Sequence, residues 1–507
     1  MIFLGLGYLF LGLAVYLFGS YARSALRSDL RKLPGPRAAH WTGFWRASVA
    51  FGGDGPRIYR ALHRKLGPII RSGPNHVSIS DPAMVSVIYG VNSKFTKSMF
   101  YSTADSFHDG KYSETMFSAR SFSVHKRFRQ QVAQLYTLTN LRLYEPYEDE
   151  CTDIFCRSMV ELQGQPLDLS GWLQWYAFDV IACITFQRRF GFMEERKDVK
   201  GMIEGVGAMF PYMASVGQFP AWHPWIMGNR TLTKLRKWLA PDSPDPMKEF
   251  LQITEEEIKR YDSTLDEKKG NRTDMLAQLR EKEAKTGKIP PQDVVQHLSS
   301  NLIAGSDTTG ISLRSCFYYL MRNPGAYRNL MAEIDDADKN GLLSTYVTFE
   351  ESLKMPYLQA VIKEALRLHP AVALPLERTV PEGGMKLCGY FIEAGTSVGI
   401  AAPVISHNEE IYGPYTDDFR PERWLDASEE QLKAMDRYSL TFGHGSRTCI
   451  GKNISMMEIC KFVPQVLRHF EFEWASEKPD WEAKAQWFWR QTGMIARVYP
   501  RRRGEKA

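Results

Sequence analysis

Phe442-Gly443-His444-Gly445-Ser446-Arg447-Thr448-Cys449-Ile450-Gly451 sets one cysteine in a turn between glycines, with an arginine two residues before it. An apolar-periodic stretch follows at once, and it reads as a helix from Lys452 to Phe470 kinked at Pro464. Gly445 and Gly451 allow the backbone to approach a flat cofactor closely and to take positive φ without a Cβ clash. Backbone N–H groups of the turn and of the helix start favour an anionic sulfur. Arg447 suits a carboxylate partner on that cofactor. The spacing F-x-x-G-x-R-x-C-x-G therefore reads as a thiolate, Cys449, presented to a metal held in a planar group.

A second stretch matches the first. Asp293 to Arg322 reads as a long helix, opened by Pro290-Pro291 and closed before Pro324. Its middle, Ala304-Gly305-Ser306-Asp307-Thr308-Thr309, is weakly helical by propensity, so a hydroxyl or water can enter the backbone ladder and open a groove. Ala304 and Gly305 are small enough to lie flat against a cofactor face. Thr308 can hydrogen-bond a small oxygen ligand, and Asp307 can relay protons.

Together these stretches resemble the haem-ligand loop and the oxygen-side helix of a cytochrome P-450, a haem-thiolate monooxygenase. The resemblance runs along nearly the whole chain. It implies a mainly α fold with a small β-region, and haem b held between the Thr308 helix and the Cys449 loop. Cys449 is then the iron ligand, Asp307 and Thr308 are catalytic, and Ala304, Gly305, Phe442, Gly445, Arg447 and Gly451 border the haem. By the same resemblance His125 and Arg129, four residues apart on one helix face, reach haem propionates, as does Arg378. Glu364 and Arg367 (E-x-x-R), with Arg423 of Pro421-Glu422-Arg423, form a buried structural network. Oxygen is the co-substrate. No flavin or Gly-rich dinucleotide motif is present in the sequence, so electrons are expected from NADPH through a membrane-bound NADPH–cytochrome P-450 reductase, with cytochrome b5 as a further donor. Gly73-Pro-Asn-His-Val-Ser-Ile-Ser80 and Cys449-Ile-Gly-Lys-Asn-Ile-Ser455 are similar to fungal, pisatin demethylase-like members. That similarity points to secondary metabolism or detoxification.

Composition agrees with a single large catalytic domain. The chain has 507 residues, with no low-complexity linker after residue 40 and no internal repeat. A net charge of +6 is mild and makes no case for nucleic acid. The seven cysteines form no C-x-x-C pair and no zinc spacing, so they read as reduced thiols. Residues Ile2 to Tyr21 are apolar and uncharged, long enough to span a bilayer. A cleaved signal peptide is the competing reading, but a basic leader is missing. Arg23, Arg27, Arg31 and Lys32 follow and place the C-terminal side in the cytosol. The expected organisation is an anchor over 1–21, a basic and proline-rich linker over 22–37, and a haem-binding domain over 38–507. The expected address is the endoplasmic reticulum membrane, single-pass.

Three segments are expected to hold the apolar small-molecule substrate. Residues 101–120 read as a long loop. Residues 209–227, with Phe210, Tyr212, Phe219, Trp222 and Trp225 among three prolines, read either as core packing or as a lid dipping into the membrane. Ala371 to Leu376 is extended and apolar. Gln491-Thr492-Gly493 is expected as a turn pointing into the pocket, and residues 255–290 as a charged, solvent-facing stretch. Three other functions compete: a haem-thiolate isomerase or dehydratase, a non-catalytic haem sensor, and an anchored binding module without haem. Cytosolic placement predicts that the sequons at Asn229, Asn271 and Asn453 stay unmodified. Peptide mass spectrometry of the native protein checks this, and a glycan on any of the three reverses the orientation.

Overall fold

The computed structural model describes the chain apart from residues 1–11, 13–14, 16–17, 20, 24, 109–110, 228, 240–245, 265–269, 271, 288 and 502–507. The expected anchor falls largely on residues outside the described ones. Among the described residues no helix is long and apolar enough to cross a membrane.

Helices dominate, and five of them carry the site: α1 (Phe122–Val132), α2 (Leu169–Phe186), α3 (Pro291–Arg322), α4 (Pro356–Leu368) and α5 (Lys452–His469). The α2 sequence is apolar on all faces and almost all of it is buried, as expected of a helix with no solvent side. It lies along α3 in the most extensive helix pair of the molecule. Small residues make that closeness possible. A Cβ on Gly305 of α3 would stand 2.7 Å from Ile181 of α2. Pro291 opens α3 at a position where no N–H is needed, and α5 runs through Pro464 as one continuous helix.

The β-region is a five-stranded sheet with four two- or three-stranded satellites. Its strands are β1 (Ile69–Gly73), β2 (His76–Ile79), β3 (Thr96–Lys97), β4 (Arg378–Thr379) and β5 (Ser397–Gly399), in the order β1-β2-β5-β4-β3. Only β2 and β5 run parallel; the other pairs are antiparallel. The Leu33-Pro34-Gly35-Pro36 exit docks on this sheet. Arg71 N–H donates to the Pro34 carbonyl at 2.7 Å, and Leu30 and Leu33 are buried in the sheet's own core. The stretch expected as a linker is therefore packed from residue 30 onward.

Two expectations about segments change. Met99–Ala104 is a short 3-10 helix and Ser106–His108 pairs with Lys111–Ser113, so 101–120 is more ordered than a loop. Tyr101 explains this: it is buried edge-on against Phe100, Phe117 and Trp487, and those contacts fix the chain around it. The expected solvent-facing stretch 255–290 is partly buried: Ile258, Tyr261, Met275, Leu276 and Leu279 pack inward, as do Glu257 and Asp274.

The Glu364–Arg367–Arg423 network is fully formed. Arg367 of α4 meets Glu364 through two bonds of 2.8 Å, and Arg423 Nε reaches the same carboxylate at 3.2 Å. Trp424 Nε1 and the Arg420 N–H fill its remaining lone pairs at 2.9 and 3.0 Å. The two guanidiniums spend their other N–H groups on carbonyls. Arg367 takes Ser406, Thr416 and Asp418, and Arg423 takes Tyr412, Pro414 and Tyr415. One carboxylate thus holds two arginines, and they hold the chain from 406 to 418, which leads toward the Cys449 loop. Glu364→Ala leaves both guanidiniums buried without their anion and is expected to cost roughly 3–5 kcal/mol. Urea unfolding of the purified protein measures it.

Candidate functional site

The Cys449 loop is closed by its own backbone: Cys449 N–H donates to the Phe442 carbonyl at 2.8 Å. Gly443 and Gly445 both take positive φ, at 71° and 64°. At Gly445 the approach that excludes a side chain is to protein, because a Cβ there would stand 2.0 Å from the Tyr89 carbonyl oxygen. The expectation that Gly445 clears a cofactor is corrected accordingly. Gly451 has φ −80° and caps α5, so it needs no left-handed conformation. What it contributes is its N–H. Burial pushes the Cys449 thiol upward, while the backbone N–H of Gly451, the Arg129 charge and the N–H of Lys452 pull the other way toward the thiolate. The side chain has accessible surface although protein surrounds it, the geometry of a sulfur lining an internal slot.

On α3, Ala304 has open surface and Thr308 is half-buried. Thr308 Oγ1 donates to the Ala304 carbonyl at 2.7 Å, so the hydroxyl competes for the helix ladder while α3 stays α-helical throughout. The groove expected from weak propensity is this hydroxyl bond and not a break. Gly305 turns toward Ile181, so its missing side chain serves the α2–α3 contact, which corrects its assignment to a cofactor face. Asp307 is buried and accepts from Gln174 Nε2 of α2 at 2.8 Å. Gln174 in turn accepts from Arg314, which also donates to the Ser170 carbonyl and to Gln491 Oε1. Burial pushes the Asp307 carboxyl up to about 6, against the pull of Arg314. Gln491 therefore points at α3 rather than into a pocket; its amide also donates to the Ile311 carbonyl at 3.3 Å. Gln174 was not legible in the sequence as a neighbour of Asp307, because α2 carries no motif; Arg314 lies on α3 itself, two turns from Asp307, a spacing that could have signalled it.

The other wall of the slot is cationic. Lys97, His125, Arg129, Arg378 and Arg447 converge there, and none of them pairs with a carboxylate among the described residues. Strand register sets Lys97 directly opposite Arg378, a like-charge pair that is unfavourable on its own. Burial, then Arg378 and Arg447, push Lys97 well below its ordinary value. Burial and the same cations push His125 down to about 3, and Arg447 falls to about 10. Neutral acceptors are all they have: Arg447 donates to the Ala119 and Ser121 carbonyls, Arg129 to the Thr448 carbonyl at 3.1 Å, and Arg378 to the Tyr101 hydroxyl at 3.4 Å. Lys97 donates to the Phe117 carbonyl, with its Nζ 4.1 Å from the Tyr101 and Phe117 ring centres. This donor set fits a group with two carboxylates and an apolar body, and the haem propionates are such a group. Lys97 joins His125 and the three arginines read from the sequence. Nothing in Phe95-Thr96-Lys97-Ser98 signals it, since only the β3–β4 register brings it to Arg378.

The cytochrome P-450 family model matches residues 34–495. The chain belongs to the cytochrome P-450 family. A cytochrome P-450 monooxygenase of Aspergillus terreus is 38% identical, over 88% of this chain and 92% of that protein. A cytochrome P-450 monooxygenase of Penicillium aethiopicum is 34% identical, over 92% of this chain and 93% of that protein. A pisatin demethylase of Fusarium vanettenii is 35% identical, over 91% of this chain and 87% of that protein. As a cytochrome P-450 this protein is a haem-thiolate monooxygenase, which uses dioxygen and electrons from a redox partner on a small-molecule substrate.

Around the slot of this cytochrome P-450, residues 209–227 divide into core and surface. Phe210 packs on Phe488 with ring centres 4.5 Å apart, whereas Trp222 and Trp225 are exposed. Val372 bridges to Phe488, so the 371–376 stretch and the C-terminal hairpin share one wall.

Asp307 carries a pH prediction. Its folded carboxyl titrates near 6 and its unfolded one near 4, so the folded state prefers it protonated. The group costs nothing below about pH 4, and stability is lost as pH rises from there to 6. Asp307→Asn is therefore expected to be more stable than wild type at pH 7, by about 3 kcal/mol, with the difference gone at pH 4. Urea unfolding at the two pH values checks it.

Proposed function

We infer that Cys449 would hold the iron of haem b through its sulfur and that Lys97, His125, Arg129, Arg378 and Arg447 would hold its two propionates. The observation that carries this is the cationic wall with no acidic partner, set beside a sulfur toward which two backbone N–H groups point. Bound there, haem supplies activation of dioxygen and transfer of one oxygen atom to the substrate. The chain's own part is positioning and proton handling. The N–H groups of Gly451 and Lys452 limit the basicity of the sulfur. Ala304 leaves room over the cofactor face, and Thr308 Oγ1 offers a hydroxyl whose own proton rests on the Ala304 carbonyl. Asp307, titrating near 6, holds or releases a proton at its carboxylate oxygens at neutral pH, and Gln174 fixes its orientation.

The substrate in this reading is an apolar small molecule that is hydroxylated or demethylated, in fungal secondary metabolism or detoxification. The similar pisatin demethylase supports the demethylation alternative. NADPH–cytochrome P-450 reductase is the proposed electron donor, with cytochrome b5 as a second. The proposed address is the endoplasmic reticulum membrane, through an anchor over residues 1–21, with the catalytic domain in the cytosol. The exposed Trp222 and Trp225 agree with a surface that meets lipid.

The reduced, carbon monoxide-bound protein is expected to show a red-shifted Soret band that Cys449→Ser abolishes. An ordinary band, or one indifferent to the substitution, removes the thiolate assignment. Thr308→Ala is expected to keep consuming NADPH with reductase while hydrogen peroxide replaces product, read as peroxide formed per NADPH. Unchanged coupling removes Thr308 from proton delivery.

A further inference from the structure

Asp307 and Arg314 lie two turns apart along one face of α3, and α2 packs against that helix. Gly310 stands between them. A Cβ there would be 3.5 Å from Gln174 Cα, so α2 comes in at contact distance and sets Gln174 between the acid and the cation. The Gln174 amide bonds to both. Its Nε2 donates to Asp307 Oδ1 at 2.8 Å, and its Oε1 accepts from Arg314 Nη2. The opposite orientation of that amide fails, because a guanidinium only donates and a carboxylate only accepts.

Arg314 is buried, and its direct partners are neutral: the Ser170 carbonyl at 3.0 Å, Gln491 Oε1 at 3.3 Å and Gln174 Oε1. A buried cation held by neutral acceptors alone is costly, and an anion one amide away lowers that cost. Two acids act on the guanidinium from a distance, Asp307 first and Asp168 second. In the other direction, Arg314 is the one charged group among the described residues that acts on Asp307. Burial and this cation oppose each other at the carboxyl, which titrates near 6. The guanidinium is fixed from a third element. Glu482–Gln486 and Phe488–Thr492 form a hairpin, and Gln491 on its second strand is buried against α3. Gln491 Nε2 donates to the Ile311 carbonyl at 3.3 Å and to Ser315 Oγ at 3.4 Å, which leaves Oε1 for Arg314. Phe488 of the same strand bridges to Val372 on the slot wall, so one hairpin borders the slot and holds the cation.

We propose that Arg314 and Gln491 are positioning residues for proton delivery in this cytochrome P-450: Gln491 fixes the Arg314 guanidinium, which acts through the Gln174 amide on the Asp307 carboxyl as a bridged ion pair. The role rests on the reading of Asp307 as the proton-delivering acid, and it adds the groups that keep that acid able to ionise inside the protein. Both residues act through Gln174 and not on the reacting atoms. A carboxyl at that depth without the cation stays protonated at neutral pH and no longer exchanges its proton in both directions.

The test uses the full-length haem-loaded protein. The infrared band of the protonated Asp307 carboxyl, isolated by subtracting the spectrum of Asp307→Asn, is followed from about pH 4 to about pH 9. Wild type is expected to titrate near 6. Arg314→Gln removes the charge and keeps an amide, and the midpoint is expected to rise by about one pH unit, a tenfold change in ionisation. Gln491→Glu sets a carboxylate on the guanidinium in competition with Asp307, and the midpoint is expected to move the same way. This second variant reads the same quantity where Arg314→Gln does not fold. A purely structural role gives a different pattern: both variants unfold at lower urea concentration with the midpoint unmoved. An unmoved or lowered midpoint overturns the proposal. Hydrogen peroxide formed per NADPH, measured with reductase across the same pH range, separates the proposal from the reading it rests on. A raised midpoint with a coupling profile displaced the same way supports both. A raised midpoint with an unchanged coupling profile leaves the bridged pair standing and overturns its part in proton delivery.

Discussion

Lys97, Arg129, Arg378 and Arg447 are gathered with a neutral His125 on one wall, without an acidic partner among the described residues, and the mutual repulsion of the cations is the constraint around which the site is organised. They sit on four scaffolds: Lys97 on β3, His125 and Arg129 on α1, Arg378 on β4 and Arg447 in the Cys449 loop. The register that sets Lys97 against Arg378 brings two like charges face to face in a buried sheet. Such an arrangement persists only when an anion is expected there or when other interactions hold the scaffolds in place. Both conditions apply. The cations are met by carbonyls and ring faces, which are weak substitutes for carboxylates. The scaffolds themselves are tied down at a distance.

That tie is the Glu364 network and the α2–α3 contact. Glu364 collects two guanidiniums, an indole N–H and a backbone N–H. The guanidiniums then reach six carbonyls in the chain between 406 and 418. Beyond its one helical turn, Glu409–Tyr412, this segment leaves carbonyls without backbone partners, and arginines with five donors each satisfy them. On the opposite side, Gly305 lets α2 approach α3, and the approach delivers Gln174 to Asp307. The carboxyl is then buried enough to titrate near neutrality. Packing and proton chemistry are in this way the same event.

Much of this was legible in the chain. F-x-x-G-x-R-x-C-x-G announces its own turn, because glycines at positive φ and a helix start leave a pattern of residue types at fixed spacing. E-x-x-R on a helix is legible for a similar reason: i and i+3 share a face whatever surrounds them. Elements with a strong period, α3 and α5 above all, were legible to within a few residues. What was misread has a physical cause in each case. Gly445 and Gly305 look like cofactor glycines by position, yet the atoms their Cβ would strike belong to Tyr89 and Ile181, which lie far away in sequence. Gln491 looks like a turn residue facing a pocket, but Arg314 and the Ile311 carbonyl draw it to α3. The 101–120 stretch has no period, so its order is invisible until Tyr101 is seen wedged among Phe100, Phe117 and Trp487.

By itself the amino-acid sequence determined the turn that presents Cys449, the helical class of the fold and the pairing of Glu364 with Arg367, because these depend on residues close together in the chain. Only the tertiary structure decided which charges meet. Lys97 reaches Arg378 through strand pairing, and Gln174 reaches Asp307 through helix packing. Those contacts join segments more than a hundred residues apart, and no local spacing rule encodes them. They set the protonation of the site and the shape of what it can bind.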